Sequence, residues 1–212
     1  MGDKKSHTGT KSFKLIQAKR LLVFSCLFMF VYAAMMTLWL VWGGAYTKFY
    51  RAGAAVIFDS IGSKCFVRFQ PSEKVENEIK ISFYHRGRLD KHGRPVPLMK
   101  ISNDIHYGVY IYIAFIVALI VATPISLKRR AWAMFWGMIL MHTFLVFRLA
   151  ILILYIFSSG PLFLLVLSPF WKKVLIVNTQ VFTINVAPGY IVAVFIWIFV
   201  SLRREDWSKI AM

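Results

Sequence analysis

Four long apolar stretches organise this chain, and shorter polar or alternating stretches separate them. Residues 21–42 carry no charge and close on the aromatic pair Trp39 and Trp42. Residues 107–127 form the second stretch, ended by Pro124 and then by Lys128, Arg129 and Arg130. Residues 131–157 form the third, interrupted only by His142 and Arg148. Residues 174–202 form the fourth and hold Pro188 and Gly189. A bilayer core takes about 20 apolar helical residues. The pattern therefore predicts a mainly α integral membrane protein with four transmembrane helices and both termini on one side.

The period changes between the first two stretches. Residues 45–60 place Phe49, Ala52, Gly53, Val56 and Ile57 on one helical face, with Lys48, Arg51 and Asp59 away from it. That is an amphipathic helix fit to lie on a membrane surface or to pack on its neighbour. In residues 75–83 the odd positions read Val, Asn, Ile, Ile and Phe and the even ones Glu, Glu, Lys and Ser, the alternation of a strand with one buried face. Residues 64–70 alternate more weakly, and Gln70-Pro71-Ser72-Glu73 supplies a turn between the two strands. Residues 84–94 read as a polar loop. Residues 96–102 read as a third strand, which Pro95 and Pro97 confine to an edge. The expected division is a basic tail at 1–20, helix 1 at 21–42, a small β-containing insertion at 43–106, and helices 2 and 3 within 107–157. An interfacial segment at 158–173, helix 4 at 174–202 and a tail at 203–212 complete it.

Composition supports the membrane class. Of the 212 residues 58% are hydrophobic, against roughly 45–50% in a soluble domain. One core of this size cannot hide so much apolar surface, and the same hydrophobicity excludes a disordered chain. Twenty-six Lys and Arg against nine Asp and Glu give a net charge of +17. The basic residues orient the chain: 1–20 holds six, 128–130 three, and Arg203–Arg204 two. All three clusters are cytoplasmic if both termini are, as the positive-inside rule asks. Lys172 and Lys173 offend the rule, but the opposite orientation creates three violations. Residues 43–106 then lie outside, and the membrane expected is a bacterial inner membrane. The first stretch is too long for the roughly 7–15-residue core of a signal peptide, so it reads as a retained helix. Lys4, Lys5, Lys11, Lys14, Lys19 and Arg20 are placed to attract anionic lipid.

Chemical motifs are sparse. The two cysteines, Cys26 and Cys65, fall at membrane depth and in the outer insertion, too far apart to pair. The five histidines are scattered, no metal-ligand spacing or phosphate loop occurs, and nothing points to a cofactor or to nucleic acid. Arg148 is the exception. An arginine within a span costs about 2.5–3.5 kcal/mol on insertion scales and marks a functional position by default. It lies nine residues before Phe157, roughly 13 Å deep from the outer end. Helix 4 runs the opposite way and brings Asn178, Gln180, Thr183 and Asn185 to comparable depth, Asn185 nearest to level. A polar cluster around Arg148 follows. It is either a structural bond to amides and free carbonyls near Pro188, or a site for an anionic lipid, substrate or partner group.

The reading that fits best is a non-catalytic subunit that anchors or assembles an envelope complex, with other membrane subunits as partners. An enzymatic alternative rests on Cys65, His106 and Arg148, which would all face the outer side. Exosortases and archaeosortases are multispan transpeptidases that use a Cys, an Arg and a His there, and the chain is similar to them in that set alone. Their order is Cys, Arg, His, whereas no histidine follows Arg148, and Cys65 lacks the small neighbours of the family. The chain is thus not an exosortase of the known pattern, and an exosortase-like accessory is the residual form of that alternative. A small carrier for an anionic solute is a second alternative.

Overall fold

The computed structural model describes residues 7–59, 65–72, 78–159 and 167–201, with the side chains of residues 7–17, 159 and 184 left undescribed. It is mostly helical with one three-stranded sheet. Two helices, Ala18–Phe58 and Leu127–Ser158, are long and apolar enough to cross a membrane.

The first helix, α1 (His7–Phe58), runs unbroken for 52 residues, about 78 Å at 1.5 Å per residue. A separate helix at 45–60 does not form, because Gly43 and Gly44 continue the helix. A Cβ at Gly43 would stand 2.8 Å from Trp39 Cε2, so the missing side chain lets the indole lie along the helix. Trp39 is buried there against Tyr110, ring centroids 4.5 Å apart. The packed stripe beyond the glycines is Thr47, Tyr50, Ala54 and Phe58. The apolar face with Val56 and Phe49 points outward, at 85% and 64% exposure. Both faces are apolar in sequence, and aromatic partners decide between them: Tyr46 meets Tyr110, and Phe58 meets Phe69.

A π-helical turn, His106–Tyr110, leads into α2 (Ile111–Ala122). Pro124 disfavours helical geometry in the residue before it, so Thr123 is extended (ψ 128°) and α2 stops at Ala122. The helical stretch His106–Ala122 is 17 residues at most, shorter than the 107–127 span expected. It is nevertheless the centre of the bundle. Tyr112, Ile116 and Ile120 are fully buried, with α1, α3 (Leu127–Ser159) and the last helix packed around them.

The fourth stretch is not one helix. It folds as α4 (Pro169–Asn178), a π-helical continuation Thr179–Ile184, and α5 (Ala187–Ser201). The two arms are bent by 79°. In an unbroken helix residue 188 would donate its N–H to the Ile184 carbonyl; proline has none, but is tolerated in the first turn of a new helix. Asn185 is accordingly extended (ψ 139°) and α5 restarts two residues later. The four uniform spans of the sequence pattern thus become two long helices, a short central one and a bent pair.

The strands β1 (Cys65–Pro71), β2 (Glu78–Leu89) and β3 (Pro95–Asp104) form an antiparallel sheet in the order β1-β2-β3. Cys65, Val67, Ile79, Ile81 and Phe83 bury one face, and Phe83 meets Phe157 of α3 edge-on at 5.5 Å. On the other face Phe66 and Tyr84 stack at 4.9 Å, and the Arg68 guanidinium lies over both rings. The loop expected at 84–94 is mostly strand. β2 continues to Leu89, and the reversal narrows to a turn in which Asp90 Oδ1 accepts the N–H groups of His92 and Arg94 at 2.8 Å. Gly93 supplies the positive φ (73°) that this turn requires.

Candidate functional site

The break before α5 leaves carbonyls without the helical donors that a continued helix would give them. Arg148, half-buried on α3, supplies replacements. Its Nη2 donates to the Thr183 carbonyl at 2.9 Å, and its Nη1 donates to the Gly108 carbonyl at 2.9 Å and to Tyr112 Oη at 3.4 Å. The guanidinium also lies 5.5 Å from the centroid of the Tyr112 ring. Tyr112 Oη passes its own proton on, donating to the Val186 carbonyl at 3.2 Å. Asn185 Nδ2 donates to the Gln180 carbonyl at 3.1 Å. Arg148 and Asn185 thus bond carbonyls of the π-helical segment, while Tyr112 adds a donor to the Val186 carbonyl, which also accepts the Gly189 N–H at 3.2 Å. A cation at the C-terminal end of a helix also meets the negative end of its dipole.

Glycines make this approach possible. A Cβ on Gly189 would fall inside the Tyr112 ring, and one on Gly108 would come 3.2 Å from Asn103 Oδ1. Beside the guanidinium is a cavity of about 70 Å³, lined by Tyr50, Asn103, Leu145 and Thr183 among others. Thr183 Oγ1 is buried without a hydrogen-bond partner. The space suits one or two waters (about 30 Å³ each in the liquid) and is far below the roughly 300–1,000 Å³ of small-molecule sites.

Of the residues expected around Arg148, only Thr183 reaches it, and through its backbone. Asn185, expected nearest, turns to Gln180, because the depth argument took the fourth helix to be unbroken. Asn178 donates to the Val174 carbonyl one turn back, and Gln180 is exposed. His142 stands apart: its Nδ1 donates to the Met138 carbonyl at 2.8 Å and its Nε2 lies 3.4 Å from Tyr46 Oη. Tyr112 and Gly108, the residues that complete the site, were not signalled by any motif.

Cys65, His106 and Arg148 lie on three different elements: β1, the π-helical turn and α3. Cys65 is buried on β1 opposite His85. His106 packs its ring on Trp39 and Tyr107 at 5.0 and 4.7 Å. The hydrogen bonds of Arg148 go instead to Gly108, Tyr112 and Thr183. Among the described residues no three His, Cys, Asp or Glu side chains gather into a metal-binding group.

A second polar node, which the sequence reading passed over, lies where α2 ends. Thr123 Oγ1 donates to the Leu119 carbonyl at 2.7 Å and accepts from Trp197 Nε1 at 2.8 Å. Arg130 Nη2 donates to the Thr123 carbonyl and Arg129 Nη2 to the Ser201 carbonyl, each at 3.2 Å. Lys19 and Arg20 are exposed on α1. Lys11 and Lys14 fall in the part of α1 whose side chains are not described, and Lys4, Lys5, residues 160–166 and 202–212 lie outside the described residues. Comparison with protein-family models, curated proteins and solved structures finds no match.

Proposed function

We propose that this chain is a non-catalytic membrane subunit that anchors or assembles an envelope complex. In this reading both termini are cytoplasmic, the sheet lies outside, and α4 with α5 forms one broken span. The observation that carries it is the use made of Arg148. All three of its hydrogen bonds go to two backbone carbonyls and a tyrosine hydroxyl at helix ends, which makes it a brace for an irregular backbone. Non-helical backbone at membrane depth is tolerated where protein buries it and satisfies its polar groups. The small cavity beside the guanidinium argues against a lodged solute, and hence against the carrier alternative. The buried Cys65 argues against an exosortase-like nucleophile, which would have to be reached by its substrate.

The test is chemical and compositional. The full chain, purified in its native membrane lipid, is treated with a thiol reagent, and its companions are quantified by native mass spectrometry. A subunit should carry a stoichiometric membrane-protein companion, unaffected by Cys65→Ser, and Cys65 should label at a rate that rises only on unfolding. Rapid labelling of Cys65 in the folded chain, with no companion present, would favour the enzymatic reading.

A further inference from the structure

Between the start of α3 and the end of α5 runs a groove of about 480 Å³, within the size range of ligand sites. Its α3 wall is a single stripe: Arg129, Trp132, Ala133, Trp136 and Leu140, spaced three or four apart on one helical face. Phe199 and Val200 of α5 form the other wall. The walls are apolar and open sideways, with Trp132, Trp136 and Phe199 exposed at 58, 48 and 79%. One end is basic. Arg129 is held there by its bond to the Ser201 carbonyl, with Lys128 exposed on one side of it and Arg130 on the other.

Arg129 and Leu140, at the ends of the stripe, are 11 residues apart, about 16 Å along the helix. That is the depth of one leaflet of a bilayer core about 30 Å thick. A half-membrane-long apolar channel, open to the side and capped by cations at one end, complements an amphiphile with an anionic head and an acyl tail. Tryptophans at the head end suit the level where headgroups meet hydrocarbon. We infer that this groove is a binding site for one anionic phospholipid of the leaflet next to Lys128, Arg129 and Arg130. The acyl chain lies along Trp132, Trp136 and Leu140, and the phosphate meets the basic cluster. The inference needs the chain to sit in a membrane and is independent of whether it is a subunit or an enzyme.

The test uses the full chain purified in detergent and offered dioleoyl phosphatidylglycerol or dioleoyl phosphatidylcholine. Retention is read by native mass spectrometry and stabilisation by thermal shift. One phosphatidylglycerol per chain should be retained, at least about tenfold more strongly than phosphatidylcholine, given the attraction of each basic residue for an anionic surface. Lys128→Gln with Arg129→Gln should remove that preference. Lys172→Gln with Lys173→Gln, the same charge change at another helix, should leave it intact. Trp136→Ala, which opens the wall but keeps the charge, should weaken retention of both lipids. Equal retention of the two lipids by the wild type overturns the inference. So does a preference that survives the Lys128/Arg129 change, or displacement of lipid by a second copy of the chain.

Discussion

Arg148 of α3 and Thr183 at the end of the π-helical segment are joined by a 2.9 Å hydrogen bond from Nη2 to the backbone carbonyl, 35 residues apart in sequence. The same guanidinium holds the Gly108 carbonyl at the entry to α2. One side chain on a long straight helix thus fixes the two irregular points of the bundle, a π-helical entry and a broken helix. Irregular backbone and buried cation explain each other: carbonyls freed from helical bonding need donors, and an arginine without a carboxylate partner needs acceptors.

The first prediction follows from that exchange. Arg148→Leu takes the side-chain donor from the Thr183 carbonyl at the helix break, at roughly 1–3 kcal/mol for an unsatisfied group. For a chain of this size 1 kcal/mol moves the melting temperature by roughly 2–4 °C. Thermal unfolding in detergent should therefore fall by about 2–12 °C, and Arg148→Lys, with one compact donor head, should fall about half as far. Asn185 caps a different carbonyl, so Asn185→Leu should add to Arg148→Leu with little coupling. An Arg148→Leu protein that melts with the wild type would show the brace to be idle.

Close packing at the break gives the second prediction. Gly189 abuts the face of Tyr112, with no room for a methyl group. Gly189→Ala should destabilise by about 1–3 kcal/mol, the usual cost of overpacking. In the background Tyr112→Leu, which removes the ring, the same change should cost much less. Equal cost in both backgrounds, measured by denaturant unfolding, would place the strain elsewhere.

The apolar pattern located the two long helices and the three strands, because periodicity and hydrophobic runs are local properties of the chain. The strand alternation at 75–83 carried the buried face of β2, and Pro95 and Pro97 marked β3 as an edge. Where helices end was less legible. Pro124 was read as closing the second stretch, yet its effect falls on Thr123 and takes the last turn with it. Pro188 was seen inside the fourth stretch, but a proline within a helix can kink it or break it, and neighbouring donors such as Tyr112 and Arg148 decide which. The first helix, expected to end at Trp42, continues through Gly43-Gly44, and only the packing of Trp39 shows why. Arg148 was recognisable from its cost in a span, while its partners were not, since backbone carbonyls have no sequence signature.

At the opposite end of α2, the third prediction concerns Thr123 and Trp197. Thr123→Val orphans the indole N–H that now donates to Oγ1 at 2.8 Å. That should cost roughly 1–3 kcal/mol, whereas the double change Thr123→Val with Trp197→Phe removes donor and acceptor together and should be milder than the sum of the single changes. A double-mutant cycle on thermal unfolding measures the difference. A strictly additive cycle would mean that the two side chains do not hold α2 to α5.

The fourth prediction addresses α1, the element on which sequence and structure differ most. A spin label on the exposed Cys26 and another at Val56→Cys, in a Cys65→Ser background, lie 30 residues apart on one helix. At 1.5 Å per residue a straight helix separates their backbone positions by about 45 Å. A helix that turned at Gly43-Gly44 to lie along a membrane surface would instead have arms of roughly 26 and 20 Å, which at a right angle span only about 32 Å. The 13 Å difference exceeds the reach of the label linkers, so pulsed dipolar spectroscopy in lipid nanodiscs separates the two cases. The long distance is expected, because the stripe Thr47, Tyr50, Ala54 and Phe58 is already buried against the rest of the fold. Turning at the glycines would expose that stripe along with Tyr46, whose ring packs on Tyr110 and His142. Burying the Phe49 and Val56 face in lipid needs no turn, since a continuous helix already presents that face outward. A distance near 32 Å would mean that contact with the membrane surface outweighs this aromatic packing.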